Sequence, residues 1–334
     1  MHAITLACHA MATRFELVLH GPDPAALRAA GEEAVQEIER LEARLSLYRP
    51  ESEIAHLNAR AAREPVRVTP DLFALLQQAR RLHEETEGAF DITIGPLVRC
   101  WGFMGGAQGR CPDAEELAQA RARVGMDKVR LEAETLTVEF EREGMILDLG
   151  AIGKGYAVER AAELLREAGV ASALLHGGTS TVYALGQPPG AEGWMVAIVN
   201  PEQGESAETL SPNLPAADSR GRGVGARAPL ATVPLKDEAM SVSAVWGRSF
   251  EEGGRRFGHV LDPRTGEPAR RAVLTAVVLP SATETDALST ALLVRGAEGH
   301  EGVARLRPGM RTLVAAESEG GLRVESRNIA VEKT

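Results

Sequence analysis

The stretch LDLGAIGKGYAVERAAELL, residues 147–165, sets the tightest limit on what this chain can fold into. An apolar run reads as the end of a strand, and a helical pattern follows within a few residues. Between them stand Gly150, Gly153 and Gly155, the residue type a sharp change of backbone direction requires. The spacing fails the P-loop pattern, which needs four residues between its first glycine and Gly-Lys, then Ser or Thr. It also fails the dinucleotide fingerprint, with glycines at positions one, three and six. Two readings stay open. The turn is a plain strand-to-helix connection with an exposed lysine, or the free N–H groups and positive end of the helix receive an anion.

Other segments alternate in the same way. MATRFELVLH (11–20) alternates as a strand. A helix follows from Asp23 as cap and Pro24 as first helical residue, with Leu27, Ala34, Ile38, Leu41 and Leu45 on one face. Thr69 and Pro70 open a second helix that Gly88 closes, and PDAEELAQARARVG carries a short third. KVRLEA and TLTVEF form a hairpin, GMILDLG is a strand, and the helix after the glycine turn covers 156–168. SALLH, WMVAIVN and AVLTAVVLP are strands, ATETDALSTALLVRG is a helix, and two strands close the chain near 310–330. The pattern predicts an α+β fold with mixed or antiparallel sheets and flanking helices. Residues 201–232, rich in Pro, Gly, Ser and Ala, are expected to be a surface loop or insertion in a single domain spanning 1–334. Two lobes dividing there would also fit.

Composition excludes several functions. With 334 residues, 44% of them hydrophobic and 25% charged, the chain can bury a large core. A net charge of −10 is unsuited to a general nucleic-acid binder. Cys8, Cys100 and Cys111 make no disulfide framework and lack zinc spacing. No transmembrane run is present. The start has no basic segment followed by an apolar core, so the expected location is cytoplasmic, or exported or membrane-anchored if an N-terminal signal was trimmed.

Five short stretches could carry chemistry. In TETDALSTALL, Asp286 and Thr290 are one helical turn apart, two hard oxygen donors suited to Mg²⁺. Alternatively Thr285 caps the helix and Asp286 favours its dipole. In FGHVLDPRTGEP, His259 precedes a crowded turn and could move a proton or touch phosphate, although Asp-Pro and Thr-Gly are also ordinary turn signals. In TEGAFDITIGPLV, Asp91 is a turn cap or a buried ligand contact. In SLYRPESEIAHLN, Tyr48 could stack on an aromatic ligand and Asn58 hydrogen-bond it, or Ser52 and Glu53 merely start a helix. HGGTSTVY places two glycines after a buried strand, where backbone can approach a ligand.

Taken in order, MATRFEL, SLYRPESEIAHLN, GAFDITIGPLVRCWGF, LDLGAIGKGYAVERAAELL, HVLDPRTGEP and TDALSTALL resemble the ApbE family, the FAD:protein FMN transferases, over residues 11–294. The resemblance implies an ApbE-like fold with the FAD site in a central cleft. It implies that Mg²⁺ is held by Asp286, Thr290 and the backbone carbonyl of Ala151. FAD, the substrate, would be contacted by Met11, Tyr48, Ala89, Phe90, Asp91, Asp148, Lys154 and Val260. His259 and Asp286 would be catalytic. The implied reaction transfers FMN to a Ser or Thr hydroxyl of an acceptor protein and releases AMP. Hydrolysis of FAD to FMN and AMP, or FAD binding without turnover, remain alternatives. The chain departs from the family at Ala12 and Ala244, where glycine is usual.

Overall fold

The computed structural model describes residues 1–105, 109–199, 210–211, 229–319 and 321–331. Its principal sheet has eight strands: His2–Ala10, Thr13–Gly21, Ser172–Gly177, Thr181–Leu185, Glu238–Ala244, Leu274–Leu279, Arg311–Ser318 and Gly321–Arg327. Their order across the sheet is their order along the chain, and every neighbouring pair is antiparallel. Antiparallel neighbours in such a meander need only hairpins to join them, yet several here are joined by far longer segments. The sheet's character therefore comes from the long excursions between strands. Residues 22–171 carry helices α1 (Pro24–Leu45), α2 (Glu53–Arg60), α3 (Pro70–Glu85), α4 (Gly95–Cys100), α5 (Ala114–Arg121) and α6 (Gly153–Glu167). Helix α7 (Ala282–Ala304) links the sixth strand to the seventh.

The sheet is apolar on both faces because each is covered. Phe15, Leu17, Leu19 and Leu175 pack with Ile38 of α1, Val158 and Ala161 of α6 and Leu288 and Leu292 of α7. Leu174, Val182, Ala184 and Met240 pack with Val196 and Ile198 of a second sheet, formed by Trp194–Val199, Leu210–Ser211 and Pro229–Leu235. A third cluster joins α4 and α5 to the hairpin of Ser249–Glu252 and Arg255–Gly258 through Trp101, Phe103 and Phe257.

The expected α+β fold is the one observed, and the five apolar positions foreseen for α1 are all buried. Asp23 caps α1 through Ala25 N–H at 2.8 Å. Four local expectations are corrected. GMILDLG is not a strand: residues 145–149 run extended with a lone bridge, Ile94 to Ile146. Asn58 stands in for the missing strand partner there, accepting from Leu147 N–H at 2.8 Å and donating to its carbonyl at 3.0 Å. Helix α6 begins at Gly153, earlier than 156, since Gly153 and Gly155 do not prevent a helix whose first turn is held by a neighbour. The strand expected over 11–20 begins at Thr13, because Met11 and Ala12 form a two-residue turn to the unforeseen strand His2–Ala10. Lastly, the expected 201–232 loop ends early, in the strand Pro229–Leu235; most of the remainder lies outside the described residues.

Candidate active site

A cavity of about 530 Å³ opens where the excursions meet. That volume is within the usual range for small-molecule and cofactor sites. One wall is the 89–98 segment after α3; another is the turn 148–154 leading into α6. The end of the Glu238–Ala244 strand, the loop that follows it, residues 259–263 and one face of α7 complete it. Tyr48, Ala89, Phe90, Asp91, Asp148, Ala151, Lys154, His259, Val260, Asp286 and Thr290 all line it, although they are scattered over the whole chain. Met11 is not among the lining residues. It sits in the hairpin turn, with its N–H donating to Glu42 Oε1 at 3.1 Å.

The glycine turn is explained by what α7 presents to it. Oδ2 of Asp286 accepts the Gly155 N–H at 3.0 Å, so the carboxylate of one helix caps the first turn of another. The helices approach so closely that a Cβ on Gly155 would lie 2.2 Å from the Ala282 carbonyl oxygen. The N-terminus of α6 therefore receives an anion, and that anion is supplied by the protein. The reading of Thr285 as a cap is corrected: Ser281 caps α7, taking the Glu284 N–H, and Asp286 lies more than a turn inside it.

Asp286 is 4% exposed, and among the described residues its Oδ1 accepts no hydrogen bond; Lys154 Nζ lies 3.8 Å away. Among those residues that oxygen has only the long ion pair with Lys154, and a buried carboxylate is costly unless positive charge compensates it. Thr290 and Ala151 line the same cavity. One carboxylate, one hydroxyl and one carbonyl form a hard donor set that fits Mg²⁺, which takes few protein ligands and retains water or phosphate oxygens. No cluster of three acidic, His or Cys side chains able to hold a metal occurs among the described residues. Lys154 also donates to the Gly150 carbonyl at 3.1 Å, which holds its charge over the turn.

His259 is oriented by its backbone. The Arg248 carbonyl takes its N–H at 3.0 Å and lies 3.1 Å from Nδ1. A carbonyl can only accept, so Nδ1 carries the proton and Nε2 keeps its lone pair. Burial, together with the charges of Lys154 and Arg248, pushes the imidazole below its ordinary pKa, leaving a neutral base at pH 7. The turn beyond it is structural. Arg264 grips Asp262 with two bonds of 2.9 and 2.8 Å, and Trp101 Nε1 donates to the Gly266 carbonyl at 2.7 Å.

Two acidic residues differ in role. Asp91 is buried, accepting from the N–H and hydroxyl of Thr93 at 2.7 and 2.6 Å, with His83 Nδ1 3.1 Å from its other oxygen. Burial pushes His83 down, but the Asp91 carboxylate outweighs it and the net shift is upward. Asp91 is thus a turn cap whose edge borders the cavity, joining both sequence readings. Asp148 takes the Gly150 N–H at 2.8 Å, and burial raises its pKa against the pull of Lys154 and Arg248. Ser52 caps α2 through Ala55 N–H, which accounts for that stretch, while Tyr48 remains 59% exposed at the rim.

Sequence reasoning missed Phe103, Ser180, Ser243, Trp246 and Arg248, which also line the cavity. Phe103 and Ser180 stand inside the stretches GAFDITIGPLVRCWGF and HGGTSTVY, and Ser243 beside the departure at Ala244, yet none of the three is singled out by those patterns. The others lie in loops whose residues carry no spacing signal.

Fold and site together define a class: α+β proteins whose antiparallel meander holds a ligand cavity between its inserted segments. The chain matches the model of the ApbE family over residues 11–314. It is 34% identical over 297 residues to the FAD:protein FMN transferase of Treponema pallidum, covering 87% of this chain and 78% of that protein. It is 31% identical over 285 residues to the FAD:protein FMN transferase of Haemophilus influenzae, covering 82% and 76%. The crystal structure of the ApbE protein from Thermotoga maritima superposes with a TM-score of 0.82 at 27% identity, covering 98% of this chain and 97% of that one. The flavin transferase ApbE from Vibrio cholerae gives 0.80 at 25%, with 98% and 97% covered. This chain belongs to the ApbE family.

Proposed function

We propose that this chain is a FAD:protein FMN transferase, moving FMN from FAD to a Ser or Thr hydroxyl of an acceptor protein and releasing AMP. One observation supports the reading above the rest: a buried carboxylate with one oxygen clear of hydrogen bonds, the lysine paired with it and a neutral histidine share one cavity. In the reaction the acceptor hydroxyl oxygen bonds to the flavin-side phosphorus, the bridging P–O bond breaks, and AMP leaves. His259 Nε2, with its lone pair available, takes the hydroxyl proton. Lys154 offsets negative charge beside Asp286. Asp286, Thr290 and the Ala151 carbonyl would hold Mg²⁺, which supplies charge neutralisation to the pyrophosphate when bound. Tyr48 offers a ring to the flavin or adenine at the rim, and Ala89, Phe90 and Val260 supply apolar wall.

The test is incubation with FAD, Mg²⁺ and candidate acceptor proteins, reading AMP and the acceptor's intact mass. Transfer adds the mass of FMN in step with AMP, and Asp286→Asn abolishes both. AMP without a mass change identifies a pyrophosphatase instead. Wild-type turnover and metal dependence in Asp286→Asn refute the site.

A further inference from the structure

We propose that Ser243 is a positioning residue for the cation site, through a hydroxyl relay that turns the Thr290 proton inward and leaves its lone pairs facing the cavity. The inference rests on the cation reading given above. A hydroxyl has one proton to donate and two lone pairs to offer. Ser289 Oγ donates its proton to the Asp286 carbonyl at 3.0 Å. Ser243 Oγ lies 2.8 Å from Ser289 Oγ, and with the Ser289 proton on that carbonyl Ser243 is the donor in the contact. Its own proton is then spent. In that arrangement the 3.2 Å contact between Ser243 Oγ and Thr290 Oγ1 takes the Thr290 proton, whose other acceptor is the Asp286 carbonyl at 3.3 Å. Both acceptors belong to the helix–strand interface. Thr290 and Ser243 both line the cavity, so the oxygen that Thr290 shows to it carries lone pairs and no proton. A cation is attracted to that arrangement and repelled by the reverse.

A parallel pair of contacts runs one step along the same interface, Ser241 to Thr285 at 2.8 Å and Ser241 to Thr181 at 3.2 Å. Neither Ser241 nor Thr285 lines the cavity. It therefore serves as an internal control, with like chemistry and packing but no route to the cation.

The experiment measures Mn²⁺ affinity from the free-ion resonance signal, with and without FAD, for wild type, Ser243→Ala, Ser243→Thr, Ser241→Ala and Asp286→Asn. FAD affinity is measured separately in EDTA. Loss of a partner that orients a metal ligand typically weakens binding about tenfold or more. Ser243→Ala should show that loss with its FAD affinity in EDTA unchanged, Ser243→Thr should restore it, and Ser241→Ala should match wild type. Wild-type Mn²⁺ affinity in Ser243→Ala, or an equal loss in Ser241→Ala, overturns the relay while Asp286→Asn still tests the site. Absence of saturable Mn²⁺ binding in wild type overturns the cation reading and the relay with it.

Discussion

Replacing Ala12 with glycine should stabilise this protein. Met11 and Ala12 join the first two strands as a two-residue turn with φ of 51° and 59°, flanked by the Ala10–Thr13 pair. That is the hairpin geometry whose backbone twist matches the strands and which favours glycine. A side chain in the left-handed region costs roughly 1–2 kcal/mol, because Cβ crowds the following carbonyl. Glycine removes that strain but gives back about 0.4–1 kcal/mol through a freer unfolded chain. The balance favours Ala12→Gly by about 0.5–1 kcal/mol. Urea unfolding followed by fluorescence would show a higher midpoint with an unchanged slope. Thr13→Gly, one residue into the strand, is the control and should destabilise. An Ala12→Gly midpoint equal to or below wild type would refute the conformational argument.

Gly155→Ala places a Cβ 2.2 Å from the Ala282 carbonyl oxygen and 2.8 Å from Asp286 Cβ. Part of that obstruction is backbone and cannot rotate away, so a loss of about 1–3 kcal/mol in unfolding free energy is expected, together with weaker Mn²⁺ binding. Lys154→Ala should weaken FAD binding about tenfold in calorimetry, the scale of one charge-assisted contact, and leave the unfolding midpoint near wild type. His176, buried with Nε2 unpartnered, has its pKa pushed down to about 4 by burial, against the opposing pull of Glu16. The unfolded state therefore takes up the proton first, and stability falls as pH drops from about 6.5 towards 4. Between pH 7 and pH 5 this removes about 2 kcal/mol. Urea unfolding of His176→Leu at both values should show a correspondingly smaller difference than wild type, and an equal difference would exclude His176 as the source.

Periodicity and capping chemistry are properties of a few adjacent residues, and for that reason they were legible in the sequence. The apolar stripe of α1, its Asp23 cap, the Ser52 cap of α2 and the hairpin ending at Phe140 needed nothing distant to be read. Of the residues the family motifs named for the site, all but Met11 border the cavity. What the motifs mean physically was decided in three dimensions. Gly155 is required because the Ala282 carbonyl and the Asp286 side chain of α7 lie against it, the latter from 131 residues away along the chain. Residues 145–149 carry a strand's pattern, yet Asn58 occupies the place of a neighbouring strand. Tautomer and proton direction at His259 and Thr290 follow from carbonyls and hydroxyls brought in by folding. Local sequence sets the conformations a segment can adopt. Which groups meet depends on long-range packing, because a buried polar group is satisfied by whatever partner the fold places beside it.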